Sequence, residues 1–281
     1  MFGKLIKHEF RASARIMLPI MLAVFVLALF SGVGLIVLET PSAPNVLNLL
    51  FSLVLGVFFI SLFAICVVAL VMMVQRFHQS LLSDEGYFSM CLPVSVDEHI
   101  LSKLLVAVIW FILTGIVCAV CGGVMVLISS ANENFLQNLS EFFGFFGEVF
   151  QDISQSIGTG NIVLYVLELI LLQVLFCASV CLRFYSALAV GYSFSNHKFA
   201  LSVVAFFVIG AILNTIQSFF VGVTASGPYL DAFFSQHFST FEQTLAYVHT
   251  LFLSLSAYLL IISAIYYAIT SVMMHRKLNL P

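Results

Sequence analysis

The sequence predicts an all-α membrane protein with six transmembrane helices. Three observations carry that prediction: 8% of the 281 residues are charged while 62% are hydrophobic, the mean hydropathy is +1.15, and six apolar runs are each long enough to cross a bilayer. Soluble domains carry roughly a quarter charged residues, so this chain has too little polar surface to face water on all sides. A hydrocarbon core about 30 Å thick needs roughly 20 apolar residues per helical span. The runs cover residues 16–38, 46–74, 104–128, 162–182, 200–223 and 247–273 of one transmembrane domain, 1–281. They are continuous, whereas the strands of a membrane barrel alternate apolar and polar residues over about ten positions. Helices fit, because each satisfies its own backbone hydrogen bonds in lipid.

Residues 1–15 combine Phe2, Leu5, Ile6 and Phe10 with Lys4, Lys7, Arg11 and Arg15. That spacing separates an apolar from a basic helical face, and the segment reads as an interfacial helix on the inner leaflet; a helical extension of the first span is the alternative. The apolar run behind it is too long for a signal-peptide core, and Pro44 follows the small residues Ser42 and Ala43, so the first span is expected to be retained.

Between the second and third spans, residues 75–103 are too many for a tight turn. Gly86 breaks a helix and Pro93 ends one, which predicts a short helix around Tyr87–Leu92 with Asp84 and Glu85 at its N-terminus, where the helix dipole favours negative charge. Asp97 and Glu98 are then placed to start the third helix. Residues 129–161 carry Phe135, Leu136, Leu139, Phe142, Phe143, Phe146, Val149, Phe150 and Ile153 among polar residues, many at intervals of three and four, and read as an amphipathic helix. It either rests on the outer membrane surface or covers a path through it. Residues 224–246, with Gly227, Pro228 and several phenylalanines, are expected to dip into the outer leaflet as a broken hairpin, provided that protein or water satisfies the backbone.

Charge sets the orientation. All ten basic residues fall in the segments on one side of the six-span map, together with Glu9, Asp84, Glu85, Asp97 and Glu98. Segments 39–45, 129–161 and 224–246 hold seven acidic residues and no Lys or Arg. The positive-inside rule therefore puts both termini in the cytoplasm. The basic side suits an anionic inner leaflet, and no soluble basic surface is left for a nucleic acid.

The chemistry-bearing residues are few. Gly3-Lys4 lacks both the earlier glycine and the following Ser or Thr of a phosphate-cradling loop, so ATP is not expected to bind here by that route. No histidine pair stands at metal-ligand spacing with an acidic partner inside a span, and neither a metal nor a catalytic site is expected. Cys118 with Cys121, and Cys177 with Cys181, lie at helical spacing within apolar runs and read as small buried hydrophobes. Glu168 is the exception: a carboxylate within the fourth span costs about 2.5–3.5 kcal/mol if centred and charged. It either faces a polar path together with Gln173, one turn further on, or snorkels to the outer interface.

The stretch Asp84, Glu85, Gly86, Tyr87, Phe88, Ser89, followed by Leu92, Pro93, Val94, Ser95 and by Ser102-Lys103 ahead of the third span, resembles the ABC-2 type permeases of bacteria, membrane subunits of ATP-binding cassette exporters. The opening Gly3–Phe10 and the closing Lys277–Leu280 are similar as well, so the likeness covers essentially the whole chain. The resemblance implies a subunit in the bacterial cell membrane that pairs with a second permease copy or a paralogue. It also implies two separately encoded ATPase subunits, which would hold the ATP and magnesium; no cofactor is expected in this chain. Segment 75–103 would then carry the coupling helix, with Tyr87, Phe88 and Leu92 as apolar contacts, Asp84 and Glu85 orienting it, and Gly86 and Pro93 bounding it. The cargo would be an amphipathic or apolar molecule such as a peptide antibiotic, a drug or a lipid-like compound. The family places extracellular helices between the fifth and sixth spans, matching 224–246, and departs from this chain in lacking so large a segment as 129–161. Two other classes compete: a membrane sensor or scaffold without transport, and a transporter driven by an ion gradient, for which Glu168 is thin support.

Overall fold

A computed structural model describes residues 2–40, 44–83, 94–129, 159–194, 197–225 and 241–276, with single positions at 86, 87, 91, 140, 144, 147, 148 and 151. Within them the secondary structure is helical, and six helices are long and apolar enough to cross a membrane. They are α1 (Phe2–Glu39), α2 (Asn45–Phe77), α3 (Val96–Ser129), α4 (Thr159–Gly191), α5 (Lys198–Ala225) and α6 (Phe241–Arg276). At 1.5 Å per residue the shortest, α5, is about 42 Å long and α1 about 57 Å, so each outlasts the hydrocarbon core. Each expected span lies inside one of these helices.

The differences lie at the ends. α1 is one helix of 38 residues, so the boundary expected at residue 15 is not a helix boundary: the first turns continue directly into the first span. Pro19 lies inside it and leaves the Arg15 carbonyl without its backbone donor. α2 runs past residue 74 to Phe77 and closes in a π-helical turn, His78–Leu82, while α3 starts at Val96, with Asp97 and Glu98 in its first turn as expected, eight residues ahead of the apolar run from 104. The connection expected over 75–103 is thereby cut to 83–95. Ser95 and Glu98 explain the early start of α3: the Glu98 amide donates to Ser95 Oγ at 3.3 Å, and the Ser95 amide donates back to the Glu98 carboxylate at 3.2 Å. This reciprocal capping box satisfies two of the donors that a helix start otherwise leaves open. Ser140, Gly144, Gly147, Glu148 and Gln151 are helical, whereas the apolar residues of 129–161 lie outside the described residues. So does 226–240, where the broken hairpin is expected; residues 241–246 belong to α6.

The chain divides into two compact units. One comprises Gly3–Met73 and Ile109–Ile162. Its helices pack around Met17, Ala28, Phe58, Ile65, Ala69 and Trp110, all essentially inaccessible. Phe10 stacks on Trp110 with ring centroids 4.9 Å apart, so the first turns of α1 pack on α3. Glycines set the closest approaches: a Cβ on Gly32 would lie 2.7 Å from the Ile128 side chain, and one on Gly34 2.8 Å from Phe51. Small residues at such points let membrane helices meet backbone to backbone.

The other unit comprises Met1–Phe2, Val74–Val108 and Val163–Pro281. α4 and α5 form an antiparallel hairpin. Gly191 packs so closely on Ser202 that a Cβ there would collide with it, and His197, at φ 51°, turns the chain into α5 in the left-handed region. Phe184 stacks on Phe206 at 4.8 Å further along the same pair. In both units large apolar side chains are exposed, such as Leu22 and Phe63 in the first and Phe199 and Phe207 in the second, each about two-thirds accessible or more. In water so many exposed side chains would drive association; against lipid tails they cost nothing.

Candidate functional site

The segment between α2 and α3 is fastened at both roots. Where α2 ends, Phe77 stacks face to face on Tyr185 of α4, with centroids 4.0 Å apart. One residue on, His78 Nε2 hydrogen-bonds the Tyr192 hydroxyl in the turn after α4, with the two rings edge to face. Burial pushes the Tyr192 phenol above its usual range, so it remains a neutral hydroxyl at physiological pH. The Lys198 ammonium lies 5.9 Å from the centre of the same ring. At the α3 root, Asp97 accepts hydrogen bonds from Ser271 Oγ at 2.7 Å and from the Tyr267 hydroxyl at 3.1 Å, both on α6, and His275 Nε2 lies 3.4 Å from its second oxygen. The loop is thus tied to α4 at one end and to α6 at the other.

Within the loop, the Gly86 amide donates to the Ser83 carbonyl at 2.7 Å, and the Cys91 amide donates to the Tyr87 carbonyl at 3.3 Å. The second is an i to i−4 bond, the unit of an α-helical turn. Gly86 is buried and Tyr87 half exposed. Asp84, Glu85, Phe88, Leu92 and Pro93 lie outside the described residues.

Glu168 has a partner. Its Oε1 lies 2.6 Å from Nδ1 of His249 on α6, and its side chain is 13% accessible against 39% for the histidine. The ring nitrogen does not aim at the oxygen well enough for a regular hydrogen bond, so the contact is one of proximity and, when the imidazole is protonated, of charge. Tyr165 presents its ring edge-on to His249 at 6.1 Å. Gln173 stands apart from this group and hydrogen-bonds Cys177 Sγ on its own helix at 3.6 Å. At 100° per residue, five positions turn Gln173 some 140° away from Glu168 around the helix, so the two do not share a face.

The sequence reading placed Arg183 just beyond the fourth span. α4 instead continues to Gly191, which puts Arg183 about 12 Å inside its end. The guanidinium lies 4.5 Å from the centre of the Phe206 ring and fills the space that a Cβ on Gly210 would need. Beside it α4, α5 and α6 line a half-open cavity of about 300 Å³. Arg183 and Tyr266 line one end of it, and Leu172 and Leu255 the other. Asn214 and Gln217 line it from α5, and neither Glu168 nor Gln173 is among its lining residues. The length of an apolar run cannot show that an arginine just beyond it will find an aromatic face and a glycine on the next helix.

Cys121, Cys177 and Cys181 are buried free thiols. No family model, no curated protein and no solved structure matches this chain.

Proposed function

We propose that the chain is the membrane subunit of an ATP-driven exporter in a bacterial cell membrane, with both ends in the cytoplasm. ATP and magnesium would be held by two separately encoded ATPase subunits, and a second copy or a paralogue would complete the membrane part. The observation that carries this reading is the loop between α2 and α3. Its sequence resembles the coupling segment of ABC-2 type permeases, and within it the Cys91 amide donates to the Tyr87 carbonyl. Its roots are fastened to α4 by Phe77 and His78 and to α6 by Asp97. A loop that must pass a push from a soluble motor into a helical bundle needs stiff roots, because a slack loop would absorb the displacement. Buried aromatic stacks and a carboxylate shared by two hydroxyls supply that stiffness.

In the test, the chain is extracted mildly and an ATP-hydrolysing subunit is sought among the proteins that come with it. Gly86→Pro and Leu92→Asp should abolish coupling, reducing cargo-stimulated ATP hydrolysis at least tenfold, while the variants stay monodisperse and helical. Normal coupling in both, or no ATPase under conditions that preserve membrane complexes, would sink the assignment in favour of a sensor or scaffold. Glu168 and Gln173 are the candidate pathway residues of this reading. Glu168→Gln should alter transport or its stimulation of ATP hydrolysis, and an unchanged rate in both assays would remove it from the path.

A further inference from the structure

Three features of the described residues lie outside the coupling argument: the Glu168–His249 pair, the buried thiols, and the cavity beside Arg183. The first pairs across α4 and α6 and already belongs to the pathway residues proposed above, and the second are packed hydrophobes. The third is not accounted for by anything around it.

Arg183 is a permanent cation within a helix that crosses the membrane. Such a residue usually pairs with a carboxylate or with backbone carbonyls, and when it does not, it marks a substrate or ion path. Among the described residues no carboxylate lies within ion-pairing distance of it. Its Nε is buried without a hydrogen-bond partner, with the face of Phe206, the backbone at Gly210 and the Tyr266 side chain beside it. The ring contact satisfies the flat side of the guanidinium and leaves the Nε–H on its edge without an acceptor.

The cavity offers that edge a ligand of particular shape. α4 and α5 run antiparallel, and Gly210 of α5 stands level with Arg183. Asn214 therefore lies about 6 Å, and Gln217 about 10 Å, further from the charged end. Leu213 lies between the cation and Asn214, Phe176 stands level with Gln217, and beyond them Leu172 and Leu255 close the far end with hydrocarbon. Over about 16 Å of α4 from Arg183 to Leu172, the lining has a cation at one end, two amides set among apolar side chains along it, and hydrocarbon at the other end. Polar amides facing lipid would be costly; facing a cavity that takes a ligand with hydrogen-bonding groups near its head, they are useful.

We infer that this cavity binds the anionic head and proximal chain of an amphiphile, with the carboxylate or phosphate of the head on the Arg183 guanidinium and the chain against the leucines. The inference names a cargo class for the exporter reading and rests on that reading only for the step from binding to transport; the binding itself is a property of this chain.

The full-length protein, in nanodiscs of neutral phosphatidylcholine, is photolabelled with a diazirine-bearing fatty acid, and the labelled positions are read by mass spectrometry. Label is expected on the cavity-facing stretches of α4 and α6, displaced by oleate but not by oleyl alcohol, which has the same chain and no charge. Arg183→Gln should weaken labelling at least tenfold and Arg183→Lys much less, because a carboxylate loses its charge-assisted partner in the first and keeps one in the second. Gln217→Leu, which leaves the cation untouched, should weaken it about threefold and keeps the test decisive if Arg183→Gln does not fold. Labelling unchanged in Arg183→Gln and Gln217→Leu, or equal displacement by oleate and oleyl alcohol, overturns the site. Displacement by millimolar inorganic phosphate also overturns it, in favour of a small-anion site. Because no ATPase is present, failure here leaves the coupling assignment standing, and failure of the coupling test leaves the binding result standing.

Discussion

Glu168 and Arg183 lie fifteen positions apart on α4, opposite charges on one membrane-crossing helix, and the protein treats them differently. The carboxylate has an imidazole 2.6 Å away on α6 and is largely covered. The guanidinium has an aromatic face, a glycine that makes room for it, and an open cavity at its edge. A charge that the fold has already partnered is part of how two helices hold together. A charge left beside a space is available to something that comes and goes.

Substitutions that separate stability from binding sharpen this comparison. The largest stability loss is expected for His249→Ala, which strands the covered Glu168 without its counter-group. Removing one partner of a fully buried pair costs about 3–5 kcal/mol, and the partial exposure of His249 reduces this to about 2 kcal/mol. Urea or thermal unfolding of the detergent-solubilised protein reads it directly. Combining it with Glu168→Gln should recover most of the loss, since the stranded charge is then gone. A smaller effect is expected for Arg183→Met. This variant loses a cation–π contact of about 0.5–2 kcal/mol but also the cost of keeping an unpaired charge within the membrane, so its stability should stay within about 1 kcal/mol of the parent. If Arg183→Met were as damaging as His249→Ala, both charges would be structural and the contrast would fail.

The same contrast explains how much could be read in advance. Glu168 was visible as a carboxylate in an apolar run, yet its partner is 81 positions away and reads on its own as one more histidine near an interface. Asp97 was legible as a helix-starting residue; its second role, joining α3 to Tyr267 and Ser271, needed the fold to bring α6 alongside. The opening basic-apolar segment carried a sound amphipathic signal, but the same pattern suits a helix that keeps going, and stacking of Phe10 on Trp110 accompanies the continuous α1. Arg183 directly follows the apolar run 162–182 and so reads, on the sequence alone, as lying between the fourth and fifth spans. The next eight residues to Gly191 are helical too, mostly apolar and mostly buried, so the helix runs on past the single charge.

By itself the sequence determined the all-helical class and the number of apolar helices, because in lipid a backbone can satisfy its hydrogen bonds within each segment and the demand for about 20 apolar residues per crossing is local. The tertiary structure decided which polar groups meet. Pairing Glu168 with His249, seating Arg183 on Phe206 against Gly210, and tying the α2–α3 loop to α4 and α6 all depend on helix faces being turned toward one another, and that rotation is set by side chains far apart in the chain.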